Sequence, residues 1–211
     1  MPLNHVPRKK LKPKVKDTKG RYYNEIRVEP HRDSWKQDFE IEAVKIRSAL
    51  GATLVILHHI GSTAIPGIYA KPIIDILAEV ISLEALDANP GGMRSLGYEA
   101  MGEFGIPGRR YFRKDDSSGV RTHHVHAFAR ESPQIARHLA FRDYLISHPR
   151  TAQAYSELKR ELVPKCNGDI EAYMAGKDPF IKEVESKALD WWQRGKEVAS
   201  KTSRQFPRAE F

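Results

Sequence analysis

An aspartate, Asp75, stands inside the apolar run PIIDILAEV. Burying a carboxylate in such a run is costly unless something pairs with it. Upstream, the run TLVILHHI ends in Gly61-Ser62-Thr63. A glycine lets backbone pass close to a ligand, and serine adds a hydroxyl and an exposed amide. If a helix begins just beyond, its free N–H groups favour a phosphate there. Downstream, strand alternation in THHVHAF puts His124 and His126 on one face, away from Val125 and Ala127. Asp75 with this imidazole pair would make a mixed oxygen and nitrogen site. Such a set suits Zn²⁺ or Mn²⁺ better than Mg²⁺, which prefers oxygen alone. The alternative is that the histidines hydrogen-bond Asp75 and each other, or line a pocket without metal.

The cationic candidates are Lys71, in the loop between the two apolar runs, and Arg109 and Arg110, which follow the turn-rich GIPG. Arginine can clamp phosphate or carboxylate with two hydrogen bonds; ordinary surface ion pairs are the competing reading for both. Lys177, beside Gly176, either reaches the same cleft or neutralises a helix end. His58 and His59 point to opposite faces of their strand and read as structural. The spacing of Gly61 and Gly67 does not match a phosphate-binding P-loop, and no GxGxxG, HExxH or paired CxxC occurs.

These residues need a sheet to hold them. NEIRVEP reads as a short strand before Pro30, and Phe39, Ala43, Ile46 and Leu50 recur at helical spacing up to Gly51. Residues 53–60 and PIIDILAEV read as buried strands, and SLEALDANPGGMRSL as a helix broken near Pro90. YEAMGEF and RRYFRK read as weaker strands, and RTHHVHAFA as the last. Ser132-Pro133 then opens a helical segment; Pro149 and Pro164 punctuate a second helix, and Asp178-Pro179 starts a third. The fold class is α+β: a small mixed sheet flanked by helices, with a helical C-terminal segment.

The 211 residues, 40% hydrophobic, suffice for one core. Of the formal charge of +8, +7 falls in residues 1–24, where eight basic residues face one acid. That stretch reads as a disordered basic tail, able at most to make nonspecific polyanion contacts or to act as a nuclear address. The core is expected over 25–131, the helical segment over 132–197 and a flexible tail over 198–211. A single cysteine, Cys166, fits a reducing compartment. No run approaches the ~18 apolar residues of a membrane span, and the N-terminus lacks a secretory signal core. A cytoplasmic protein is the expectation, its oligomeric state open.

An apolar strand ending in Gly-Ser, a loop, and a strand carrying Asp resembles the nucleotidyltransferase superfamily. More narrowly, GSTAIPGIYAKPIID resembles the GrpB family, a divergent branch of it, and LGYEAMGEFGIPGRRYF, THHVHAF, HLAFRDYLISHP, AYSELKREL and YMAGKDPFI continue the likeness over roughly residues 25–185. The resemblance implies a nucleotidyltransferase-like sheet and a nucleoside triphosphate held at Gly61 and Ser62. It also implies a divalent metal on Asp75 and transfer of a nucleotidyl group to a small acceptor. Of the superfamily pattern only Gly61, Ser62 and Asp75 carry over. Its second acid, two residues past the first, is replaced by Leu77, and Glu79 lies too far along the strand. A catalytically inactive nucleotide- or anion-binding module is therefore the alternative.

Overall fold

The computed structural model describes residues 26–205, with side chains over 26–196, and two short strands before them. Those strands, β1 (Val15–Lys16) and β2 (Tyr22–Tyr23), pair antiparallel. The rest of the basic tail expected over 1–24 lies outside the described residues.

Helix α1 (Ser34–Leu50) ends at Gly51, whose φ of 52° suits glycine. A short turn leads into β3 (Leu54–Ile60), and β4 (Ile74–Val80) returns antiparallel to it. Helices α2 (Leu83–Asp87) and α3 (Pro90–Ser95) are separate because Pro90 supplies no N–H and opens the second. The strands β5 (Glu99–Ala100), β6 (Arg109–Asp115) and β7 (Arg121–Ala129) complete a five-stranded sheet of order β3-β4-β7-β6-β5. Only β4 and β7 run parallel, so the sheet is mixed. Helices α4 (Pro133–Ser147), α5 (Pro149–Lys165) and α6 (Ile170–Gln205) follow. Ser132 caps α4 by accepting from the Gln134 amide, with Pro133 in the first turn. The class is α+β, as the sequence indicates.

Alternation along β4 divides the core. Ile74, Ile76, Ala78 and Val80 turn to one face and pack with α1, α2 and α3. Leu77 turns to the other, with Ile60 and Phe128, under Ile135 and Leu139 of α4. Asp75 shares the face of Leu77, so the carboxylate lies on the side covered by the C-terminal helices.

Three elements differ from the sequence expectation. The described part of NEIRVEP, residues 26–30, makes one isolated bridge, Glu29 to Ala70, and Pro30 offers no N–H to carry a ladder further. Only Glu99 and Ala100 of YEAMGEF are strand. The last helix starts at Ile170, not at Asp178-Pro179, and runs through Pro179. Its start is set by the Asp169 carboxylate, which accepts from the Glu171 and Ala172 amides at 2.9 and 3.1 Å. Packing then overrides the proline: Gly176 meets Leu162 of α5 so closely that an added Cβ would lie 2.6 Å from its Cδ2. The flexible tail expected from 198 falls on positions whose side chains lie outside the described residues, although the α6 backbone reaches Gln205.

Candidate functional site

Strand register builds the site. Asp75 stands opposite His124 across the parallel β4–β7 pair, and His126 stands opposite Tyr111 of β6. His124 Nδ1 donates to Asp75 Oδ1 at 2.9 Å; a carboxylate can only accept, which fixes that proton on Nδ1. His126 Nε2 lies 3.8 Å from the same oxygen. One donor atom from each of the three residues falls within 4.8 Å of the others. Burial pushes the Asp75 carboxyl up, but hydrogen bonds from His124 and His126, with attraction to either ring when it is protonated, outweigh it and hold it well below the usual range. Burial lowers His126, with Asp75 pulling the other way, so the imidazole favours its neutral form.

An ionised carboxylate beside two imidazoles is the donor set a divalent transition metal needs, since metal ligands must be deprotonated. The proton that His124 shares with Asp75 is what a metal ion would displace. His126 Nδ1 meets Arg109 Nη1 at 3.3 Å, a long contact that coordination through Nε2 would have to loosen. Leu77, two residues past Asp75, is 0% exposed in the apolar cluster with Phe128. Glu79 is occupied elsewhere, with His58 Nε2 at 2.7 Å from its Oε1.

The Gly61-Ser62 bend closes on this carboxylate. Gly61 has φ of 70°, and a Cβ there would lie 2.9 Å from Asp75 Cβ and 3.0 Å from Cγ. Only glycine permits both the conformation and the approach. Beyond it, Lys159 of α5 donates to Ser62 Oγ at 3.0 Å and to the Tyr69 carbonyl, and lies over the Tyr155 ring at 4.3 Å. Lys159 is 2% exposed. Burial, helped by the charge of Lys177, lowers its ammonium to about 7. Lys177 of α6 is lowered to about 8 by burial and by Lys71, against the pull of Asp75. Lys71 is lowered by burial too, again with Asp75 opposing. Among the described residues none of these three lysines forms an ion pair, so recessed amines that an anion could recharge gather near Asp75 and Ser62.

The other sequence candidates separate. Thr63 is buried and donates to the Ile73 carbonyl at 3.2 Å, so His59 Nε2, 3.0 Å from its hydroxyl, must supply the proton of that bond. Thr63 thus ties the bend together. Arg109 is 6% exposed and spends its donors on the Glu103 and Phe104 carbonyls and on His126, with its guanidinium 4.9 Å from the Tyr111 centroid. It positions the loop and the histidine, leaving little to clamp a phosphate. Arg110 turns to the opposite face and forks onto Asp87 at 2.6 to 3.1 Å; the structure does not bring it to Asp75. Sequence reasoning missed Lys159, Tyr155 and Tyr111. Nothing in AYSELKREL marks its lysine as buried; only the fold of α5 over the Gly-Ser bend does. Arg142 of α4 links to Asp143 and to the His59 carbonyl.

The GrpB protein family model matches residues 25–187. The UPF0157 protein YqkA of Bacillus subtilis is 44% identical over 161 residues, 76% of this chain and 46% of YqkA, so the match spans about half of that relative. The glutamate-rich protein GrpB of Alkalihalophilus pseudofirmus is 32% identical over 76% of this chain and 94% of its own length. The crystal structure of the conserved protein GrpB from Enterococcus faecalis overlays with a TM-score of 0.75 at 42% identity, covering 79% of this chain and 99% of that one. With the family model and these relatives agreeing over the segment that carries Gly61, Asp75 and the histidine pair, this chain belongs to the GrpB family.

Proposed function

We propose that this chain is a metal-dependent nucleotidyltransferase that moves a nucleotidyl group from a nucleoside triphosphate to a small acceptor. The observation that carries this reading is the meeting of Asp75, the Gly61 bend and the lysine pocket at one place. In such a transfer the acceptor oxygen or nitrogen bonds to the α-phosphorus and gives up its proton to solvent, the bond to the bridging oxygen breaks, and pyrophosphate leaves with the electron pair. Asp75, His124 and His126 would hold a divalent ion such as Mn²⁺, Zn²⁺ or Mg²⁺, which supplies Lewis-acid stabilisation of phosphate oxygens. Gly61 seats the bend against Asp75, and Ser62 donates to the phosphate chain once Lys159 shifts its own bond to the anion. Lys71, Lys159 and Lys177 then meet the charge of the departing pyrophosphate.

The sealed position of Leu77 favours a second reading, a module that binds the nucleotide and no longer transfers it. Incubation with each α-labelled nucleoside triphosphate, with Mg²⁺, Mn²⁺ or Zn²⁺ and a mixed extract as acceptor, separates them. Label on an acceptor supports the transferase. Metal-dependent nucleotide binding without transfer supports the module. Asp75→Asn should abolish metal-dependent nucleotide binding in either case; unchanged affinity for nucleotide and metal would overturn both.

A further inference from the structure

We propose that Phe104, backed by Tyr111, is a stacking platform for the base of the nucleotide whose phosphates occupy the lysine pocket. The inference rests on the phosphate reading above and adds how the rest of the ligand is held. Phe104 lies in the loop 101–108 with φ of 45°, in the left-handed region where a bulky side chain is strained. Its neighbours Gly102 and Gly105, with φ of 62° and 85°, carry the residue that such a backbone favours. At position 104 the chain instead keeps a large apolar ring and leaves it 59% exposed, where it gains little core burial.

The strain is held in place by the site itself. Arg109 donates to the Phe104 carbonyl at 2.7 Å and to the Glu103 carbonyl at 3.1 Å, and its Nη1 also meets His126. The Gly108 amide closes the loop onto Glu103 Oε1 at 2.7 Å. One face of Phe104 stacks on Tyr111, centroids 5.3 Å apart and planes 25° apart. Tyr111 in turn lies 5.4 Å from the His124 ring and 5.2 Å from His126. A line of rings therefore runs from solvent to the donors beside Asp75. A flat heteroaromatic ring joined to phosphates is the ligand chemistry that fits both ends, and every base offers a π-face to an aromatic side chain.

The test compares ATP, GTP, CTP and UTP with inorganic tripolyphosphate by calorimetry on the full chain with Mn²⁺ present throughout, in wild type, Phe104→Gly and Phe104→Trp. Phe104→Gly removes the ring and relieves the backbone, so its thermal midpoint should not fall. The wild type should bind nucleotides about tenfold more tightly than tripolyphosphate, Phe104→Gly should erase that margin, and Phe104→Trp should keep it. Tripolyphosphate affinity should be the same in all three. A margin that survives in Phe104→Gly, or an equal loss for tripolyphosphate, overturns the platform. Wild-type binding of tripolyphosphate with no nucleotide margin overturns the platform and leaves the phosphate reading standing. Binding of neither overturns both.

Discussion

Placing a methyl group at Gly61 isolates the contact on which the site depends, provided the backbone cost can be subtracted. Gly67 supplies the subtraction. Its φ of 75° is close to the 70° of Gly61, but an added Cβ would meet nothing within 4 Å. Gly67→Ala should therefore cost only the left-handed conformation, about 1–2 kcal/mol. Gly61→Ala pays at least as much, since its ψ of −172° puts it in a region essentially restricted to glycine, and drives a Cβ into Asp75, whose own Cβ and Cγ would stand at 2.9 and 3.0 Å. Either the bend or the carboxylate must shift, and a carboxylate moved off His124 loses a charge-assisted hydrogen bond, about 1.5–3 kcal/mol more. For a chain of this size each kcal/mol lowers the melting midpoint by about 2–4 °C. Calorimetric scans should show Gly67→Ala falling about 4 °C and Gly61→Ala roughly 10 °C. Equilibrium dialysis against Mn²⁺ or Zn²⁺ should show metal retained by the wild type and Gly67→Ala but not by Gly61→Ala. Equal midpoint losses together with equal metal retention would refute the claim that this glycine exists to admit Asp75.

Lys159 makes stability depend on pH. Its folded pKa of about 7 lies below the ordinary 10.5, so the unfolded chain binds more protons across that window and stability rises with pH from 7 toward 10.5. The slope is at most about 1.4 kcal/mol per pH unit, and denaturant titrations of Lys159→Met should lack this contribution. Binding a polyanion should recharge the recessed lysines. At pH 8 a group at 7 is about nine-tenths neutral and one at 8 about half neutral, so tripolyphosphate should draw up to roughly 1.4 protons from buffer. Calorimetry in buffers of different ionisation enthalpy reads that uptake, and zero uptake would count against the lysine pocket. Arg110→Ala should cost about 0.2–1 kcal/mol, as for an exposed ion pair, and leave nucleotide binding unchanged. Arg109→Ala should disturb nucleotide binding through His126 and the 101–108 loop, and parity between the two variants would contradict their assignment to opposite faces.

The sequence carries the strands and the site for one reason: alternation and register are local. Asp75, His124 and His126 share a face because each occupies a definite parity in a short apolar strand, and those strands prove to be neighbours. Gly61 was legible as a close approach, though not that the approaching group would be Asp75 itself. What sequence could not supply was the far side of the pocket. Lys159 and Tyr155 sit in a helix whose polar residues look like a solvated surface, and only the packing of α5 over Ser62 buries them. Arg109 and Arg110 are adjacent and chemically alike, so only β6 register separates the buried one from the one on Asp87. The beginning of α6 was obscured because Pro179 signals an interruption more loudly than Asp169 signals a start.

Ser62 and Lys159 are 97 positions apart, and the Tyr69 amide reaches across 87 to donate to Ser156 Oγ. The donors around Asp75, by contrast, are all supplied before α4 begins. The carboxylate and imidazoles thus come from the sheet and Lys71 from the loop before β4, whereas Lys159 and Lys177 come from the later helices. A backbone nick between α4 and α5 offers a way to uncouple the two. If the pieces part, the Asp75–His124 contact can persist in the leading one while the bond of Lys159 to Ser62 is lost; if they stay clasped through Ser156 and Lys159, both survive the cut.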